Sequence, residues 1–445
     1  MTQQKTTSLL GANYWRLWTA SVVSNLGDGI SGVAYPWLAS AVTRNPVHIA
    51  LIGVATRFPW LVFSLPAGVI TDRVDRRRLV VAMDVLRTLV TIGVALVVLG
   101  YQADLASPEL IGSGQAQPPI GAGLLLAVLY VSATLFGVAE VFRDNAAQTL
   151  MPAVVAKENL EKANGRLWGA EMLMNSFVGA PLGGFLLAVA FALPFFVDAG
   201  SFAVAAAMAA LLTGSFRPAS SETAGPTRSF TGDLKEGFRW LWSHRLLRTL
   251  AIVLGLLNAS GSAAFATIVL FSQEILNLDA TGFGLMASAG AVGGVAGSFS
   301  AARISKAFGS GPSLASTFII GVVTSAVIGL TSLAPLVWVM FAFGSFSAVL
   351  WNVITVSLRQ SIIPDRLLGR VNSVYRFFGW GMMPVGIFLG GVLVDVVARL
   401  SNRELGLRAP FFAAALAQLV LMFYGMPRLT TAKLEAAKAE ADSQG

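Results

Sequence analysis

The chain has 445 residues, 55% of them hydrophobic and only 12% charged, with a mean hydropathy of +0.70; soluble domains average about 25% charged residues, so a soluble chain this apolar could not cover its own surface. It has no cysteine, and its two histidines, His48 and His244, lie near loops, which excludes disulfides, thiolate metal sites and cysteine nucleophiles and leaves no basis for a metal or histidine-centred enzyme. The net charge of +8 sits in loops between apolar runs, which is positive-inside retention rather than nucleic-acid binding.

A bilayer helix needs about 20 mostly apolar residues. The short polar start leads through Tyr14, Trp15 and Arg16 straight into the first apolar run, reading as an interfacial anchor on a retained helix rather than a cleavable signal. Spans are predicted at 17–42, 48–71, 79–100, 121–143, 165–190 and 194–214. A second set follows at 247–274, 282–303, 314–333, 335–360, 372–398 and 409–427. This is an all-α membrane protein of twelve transmembrane helices in two pseudo-symmetric six-helix bundles, residues 1–214 and 247–428. Residues 215–246, with Pro218, Pro226 and several Ser and Thr, form the linker, and 429–445 a tail. Late in the linker Phe238, Leu241, Trp242 and Leu234 share one helical face beside Lys235, Arg239 and Arg245. That pattern predicts a helix lying on the inner membrane surface.

Alternate loops differ in charge. Arg73, Arg76, Arg77 and Arg78 follow the second span, Lys157, Lys162 and Arg166 the fourth, and Arg217, Arg228, Lys235 and Arg239 fill the linker. Arg303 and Lys306 follow the eighth span, and Arg366 and Arg370 the tenth. The opposite loops carry Asp104, Glu109, Glu274 and Asp279. The basic side is therefore expected to be cytoplasmic, with both termini inside. Arg399, Arg403 and Arg408 break the pattern after the eleventh span.

Residues 136–187 and 343–394 repeat one another. Gln148 and Pro152 match Gln360 and Pro364, Asn164 matches Asn372, and Gly183–Gly184 match Gly390–Gly391. Six spans per repeat preserve orientation, which makes parallel repeats; transporters built this way place the substrate site near mid-membrane between the halves.

The loop after the second span, residues 68–78, reads GVITDRVDRRR. It resembles the signature loop of the major facilitator superfamily, Gly-x-x-x-Asp-Arg-x-Gly-Arg-Arg/Lys, with Asp75 in place of the second Gly. That variation, with Asp84 and Arg87 in the third span, resembles the drug and siderophore exporter branch, which includes enterobactin-exporter-like and macrolide-efflux-like proteins. Further matching pieces are Asn25 to Gly29, Phe195 to Phe202 and Glu236 to Trp242. The resemblance implies that the gating loop, Gly68, Asp72, Arg73, Arg76 and Arg77, stabilises an outward-facing state. Gly179 to Gly184, GAPLGG, resembles the antiporter motif Gly-Pro-x-x-Gly-Gly with Pro181 displaced by one.

Ionisable groups at bilayer depth are costly and functional by default. Asp28 lies midway along the first span on one face with Ser21 and Asn25; Glu140 is in the fourth and Glu171 in the fifth, one turn before Asn175. A carboxyl facing a low-dielectric cavity can bind a proton near neutral pH. Asp28, Glu140 and Glu171 are thus the proton-coupling candidates, with Arg57 as counter-charge. Arg143 and Asp144 read as a structural ion pair beside Glu140, and Asp198 as a brace of the sixth span. Asn258, Asn352, Arg359, Tyr375 and Arg376 are cavity candidates in the second half. No phosphate-binding loop is present, so ATP drive within this chain is not expected.

The expected function is secondary active transport in a bacterial inner membrane, with proton-coupled efflux of an amphiphilic small molecule (drug, macrolide or siderophore-like) by alternating access. The expected partners are that substrate, protons and membrane lipid, with no cofactor, no metal and no nucleic acid, and a monomer as working unit. The rivals are a same-fold importer or lipid transporter and, from another class, a non-transporting membrane sensor or assembly factor.

Overall fold

The computed structural model describes residues 10–71, 73–106, 110–111, 117–217 and 230–444. Asp72, Glu109, Pro218, Pro226 and Arg228 lie outside the described residues, as do the side chains of Lys157, Leu234 and Arg366. The described elements are helical. Twelve long helices run in order: α1 Ala12–Val42, α2 Pro46–Thr71, α3 Arg76–Tyr101, α4 Ala122–Val154, α5 Leu160–Val189, α6 Leu193–Ala210, α7 Arg245–Glu274, α8 Ala280–Phe308, α9 Ser310–Leu330, α10 Ala334–Ile362, α11 Asp365–Leu400 and α12 Arg403–Gly425. A linker helix, Phe230–Ser243, precedes α7, and a tail helix, Thr431–Gln444, follows α12.

Eleven of the twelve are long and apolar enough to cross a bilayer; α1 is the exception. The reason is its position. Of its 31 residues 19 are buried, and it packs on α4, α5 and α6 and on the second half through α7 and α8. A helix walled by protein need not match lipid, so α1 tolerates Asn25, Asp28 and its glycines. Most helices overrun their apolar stretches, because charged or polar turns extend them. Asp75 caps α3 by accepting from the Arg78 amide at 3.1 Å, and Asn402 caps α12 from the Leu405 amide at 2.8 Å. The fourth span, predicted to stop at 143, continues to Val154.

The sequence repeat reappears as matched packing. In α5, a Cβ on Gly183 would meet Ile30 of α1, and one on Gly184 would meet Ala280 of α8. In α11, Gly390 faces Ala263 of α7 and Gly391 faces Ala50 of α2. In each pair the first glycine packs within its own half and the second packs across the seam. The two seams, α2 with α11 and α5 with α8, join the bundles.

The apolar core is divided in an informative way. One cluster unites both halves at the end away from the basic loops and includes Trp37, Phe195, Phe271, Phe283 and Phe411. At the basic end there are two separate clusters. One, around Tyr14, Leu150 and Phe216, is made of the first half; the other, around Leu250, Trp351 and Tyr375, is made of the second half and linker. The bundles are therefore fused at the far end and parted at the basic end.

A polar latch reinforces the far end. Arg44, after α1, donates to Gln273 at 2.5 Å and pairs with Glu274 at the end of α7. Arg403 donates to Glu274 at 2.9 Å and to the Arg44 carbonyl at 2.9 Å. The buried Gln273 amide donates to Ser40 at 2.8 Å. The arginines that break the loop pattern are all paired: Arg399 with Asp395, Arg403 with Glu274, and Arg408 with Glu404. Arg408 also caps α9 through the Gly329 and Thr331 carbonyls. Neutralised in this way, they count little against the loop charges elsewhere.

Close helix approach gives a direct prediction. A Cβ on Gly29 would fall on the Asn175 carbonyl, whereas nothing lies within 4 Å of one on Gly32. Gly29→Ala is expected to lower the apparent unfolding temperature in detergent, the overpacking costing about 1–3 kcal/mol. Gly32→Ala is expected to leave it unchanged.

Candidate functional site

The first half holds a chain of alternating charges. Asp28 of α1 pairs with Arg87 of α3, which also donates to Ser24 at 2.9 Å. Arg87 lies 3.7 Å from Asp84, one turn earlier in α3. Asp84 lies 3.3 Å from Arg143 of α4, and Arg143 lies 3.5 Å from Asp144. The interior of the chain is sealed: the side chains of Asp84, Arg87 and Arg143 are 0%, 1% and 4% exposed. Its ends are open, Asp28 at 23% and Asp144 at 35%.

The local sequence explains this placement. Gly27 leaves room for Asp198 and Ser201 of α6, and Gly29 leaves room for the backbone of α5, so α1 can bring Asp28 into the bundle interior. The Arg87 guanidinium lies over the Phe136 and Phe202 rings, at 4.5 and 3.9 Å from their centroids. Aromatic faces and carboxylates together compensate a cation that would be prohibitive alone at this depth. Asp198, fully buried, accepts from Ser31 of α1, while its other oxygen has no partner among the described residues.

The predicted residues separate into distinct settings. Asp28 finds Arg87 as its partner in place of Arg57. Arg57 lies instead toward Glu140, where α2 packs on α4. Arg143 turns from Glu140 to Asp84. Glu171 makes no ion pair among the described residues, whereas Arg143 is taken by Asp84 and Asp144. Asn25 closes back on the Ser21 carbonyl at 3.0 Å. Asn175 sits in a π-helical stretch, Leu173–Gly179, inside α5. Pro181 borders it: lacking an N–H, it leaves the Phe177 carbonyl without its usual donor four residues on, and just before it the Ala180 amide bonds the Asn175 carbonyl five residues back.

In the second half Asn258 donates to the Gly379 carbonyl at 2.8 Å, tying α7 to α11. Asn352 is exposed and, with Asn258, lines a pocket of about 610 Å³ inside the second bundle whose lining carries no charge among the described residues. Arg359 donates to Asn372 at 3.0 Å and lies 3.8 Å over the Tyr375 ring. Arg376 lies elsewhere, in a cleft toward α2.

In the gating loop Arg76 donates to the Thr149 carbonyl at 3.2 Å and Arg77 to the Leu212 carbonyl at 2.7 Å. These are the last turns of α4 and the end of α6, where a cation also meets the negative helix terminus. Both bonds stay within the first half. Arg73 is exposed, and Gly68 lines the α2–α11 cleft. The Asp75 that replaces the expected glycine serves as the cap of α3.

Two seams matched by the parallel repeat, fused far ends and a charged chain in one bundle define a transporter of the major facilitator fold. A family model described as a transmembrane secretion effector matches residues 7–443, and the chain belongs to that family. It is 28% identical over 411 residues to the multidrug efflux pump Tap of Mycobacterium tuberculosis, covering 89% of this chain and 88% of the relative. It is 24% identical over 360 residues to the enterobactin exporter EntS of Citrobacter koseri, covering 80% and 79%. In fold it is similar to a bacterial homologue of the iron transporter ferroportin in an inward-facing state, with a TM-score of 0.69 at 16% identity over 93% of this chain and 98% of that one.

Proposed function

We propose that the chain is a proton-coupled exporter of an amphiphilic small molecule, working by rocking of the bundles 1–214 and 247–428. The observation that carries this is the arithmetic of the charge chain. Asp28, Asp84 and Asp144 supply three carboxylates against the two guanidiniums of Arg87 and Arg143. One proton neutralises the set. Asp28 can accept it, because Arg87 keeps Asp84 as a partner and no cation is stranded. The substrate class, a drug, macrolide or siderophore-like amphiphile, is carried over from the named relatives.

In this reading the basic end faces the cytoplasm of a bacterial cell, both termini are inside, and the described state is open inward. Protonation of Asp28 weakens its hold on Arg87 and lets α1 move against α3. The far-end latch releases as the basic end closes, carrying substrate outward. Glu140 and Glu171 line the proton's route, the gating loop steadies the alternate state, and the monomer is the working unit.

The test is transport in vesicles under an imposed pH gradient. Asp28→Asn is expected to lose pH-driven transport by at least tenfold while folding normally, and Glu140→Gln to weaken it. If both variants keep full pH-driven transport, the assignment is wrong.

A further inference from the structure

A cleft of about 440 Å³ lies on the α2–α11 seam toward the basic end, lined by Trp60, Gly68, Asn145, Arg376, Trp380 and, from the linker helix, Phe238. It belongs to neither bundle alone, and Asn145 in its lining directly follows Asp144, the open end of the charge chain. Its volume is within the range of small-molecule pockets, about 300–1,000 Å³. The Trp60 and Trp380 rings stack across it, 5.3 Å between centroids. Phe238 and Trp242 stack on Phe378, which fixes the linker helix to α11 at one edge.

Among the described residues of the lining, Arg376 is the single charged side chain. It is exposed to the cleft and makes no hydrogen bond or ion pair among the described residues. It stands six residues past Arg370, where the apolar run of α11 begins, so its Cα lies about 9 Å into that run. An unpaired guanidinium at this depth calls for an anion, and its planar fork suits a phosphate. The mouth identifies the source. Phe377 and Trp380, 53% and 43% exposed, border it together with the linker helix, whose Phe238 and Trp242 are also part exposed. Exposed aromatics beside a surface helix mark the headgroup level of a bilayer.

We propose that this cleft holds an anionic phospholipid of the adjoining leaflet, its phosphate on Arg376 and the upper part of an acyl chain along the Trp60–Trp380 stack. The occupant would add to the Trp60–Trp380 contact between the two bundles at this seam, so it biases the rocking motion without being the cargo.

Brominated lipids, which quench indole fluorescence at short range, test this on the full chain in phosphatidylcholine vesicles. The signal of the tryptophan pair is taken as the difference between the parent and the Trp60→Phe/Trp380→Phe variant. At equal mole fraction, brominated phosphatidylglycerol is expected to quench the pair about fivefold more effectively than brominated phosphatidylcholine, the preference one cation confers near a membrane surface. Arg376→Gln is expected to abolish the preference while leaving both lipids able to quench. Arg376→Lys, which keeps charge but loses the fork, is expected to retain part of it and serves if the Gln variant does not fold. Equal quenching by both lipids in the parent, or an undiminished preference in Arg376→Gln, would overturn the proposal. Loss of the preference on adding inorganic phosphate would also overturn it, by assigning the cleft to a free anion.

Discussion

Replacing Glu274 with alanine is expected to open the far end of the molecule. Glu274 joins Arg44 of the first half to Arg403 of the second. Its removal leaves two guanidiniums close together with no carboxylate between them, so repulsion replaces attraction. The groups are largely sheltered, 17% and 37% exposed for the arginines, and about 2 kcal/mol is a reasonable bias against the closed state after allowing for solvent. That is a shift of about thirtyfold in the ratio of closed to open. The chain has no cysteine, so spin labels on Gln102→Cys and Leu333→Cys report one distance across the far end without background. The expected result is a second, longer distance in Glu274→Ala. An unchanged distribution would mean that the apolar cluster around Trp37 and Phe283 closes this end by itself.

The second large effect is expected at Asp84. Arg87 and Arg143 share this carboxylate, and both are nearly inaccessible. Asp84→Asn leaves Arg87 with Asp28 and Arg143 with the half-exposed Asp144, each at the rim of the chain. Breaking a buried pair by removing one partner costs about 3–5 kcal/mol, so the variant is expected to lose folded yield and melt earlier in detergent. Adding Arg143→Gln removes the buried cation that has lost its sheltered partner and is expected to recover most of the stability without restoring pH-driven transport. A stable, fully active Asp84→Asn would show that Asp84 is not the centre of the network.

The helices and the repeat are legible because each has a local signature: apolar runs of bilayer length, glycines at matched positions, and arginine-rich loops; which helices those glycines join into seams is not. The reading of Asp28 and Glu140 as deep acids rested on the same logic. Its pairing was not legible. Arg57 was the expected counter-charge, yet α3 delivers Arg87 to Asp28, and which helix faces which is set by long-range packing that no local pattern encodes. Asp84 and Arg87 were visible as a motif variation, and their spacing of three residues already placed them on one helix face. Their bridge to Arg143 needed the α3–α4 contact. The π-helical stretch had a signal in Pro181, one position away from where the antiporter motif places it. The far-end latch was hidden in plain loop charges, because Arg44, Glu274 and Arg403 lie hundreds of residues apart and meet only when the halves close.

The central claim is that one proton resides on the charge chain at Asp28. Infrared difference spectroscopy of the purified protein across a mild acidification reads this without knowledge of the substrate. The account predicts one carboxyl band gained on acidification that is missing from Asp28→Asn and retained in Asn25→Ala. A band that persists unchanged in Asp28→Asn would contradict it and move the coupling site to Glu140, Glu171 or Asp198.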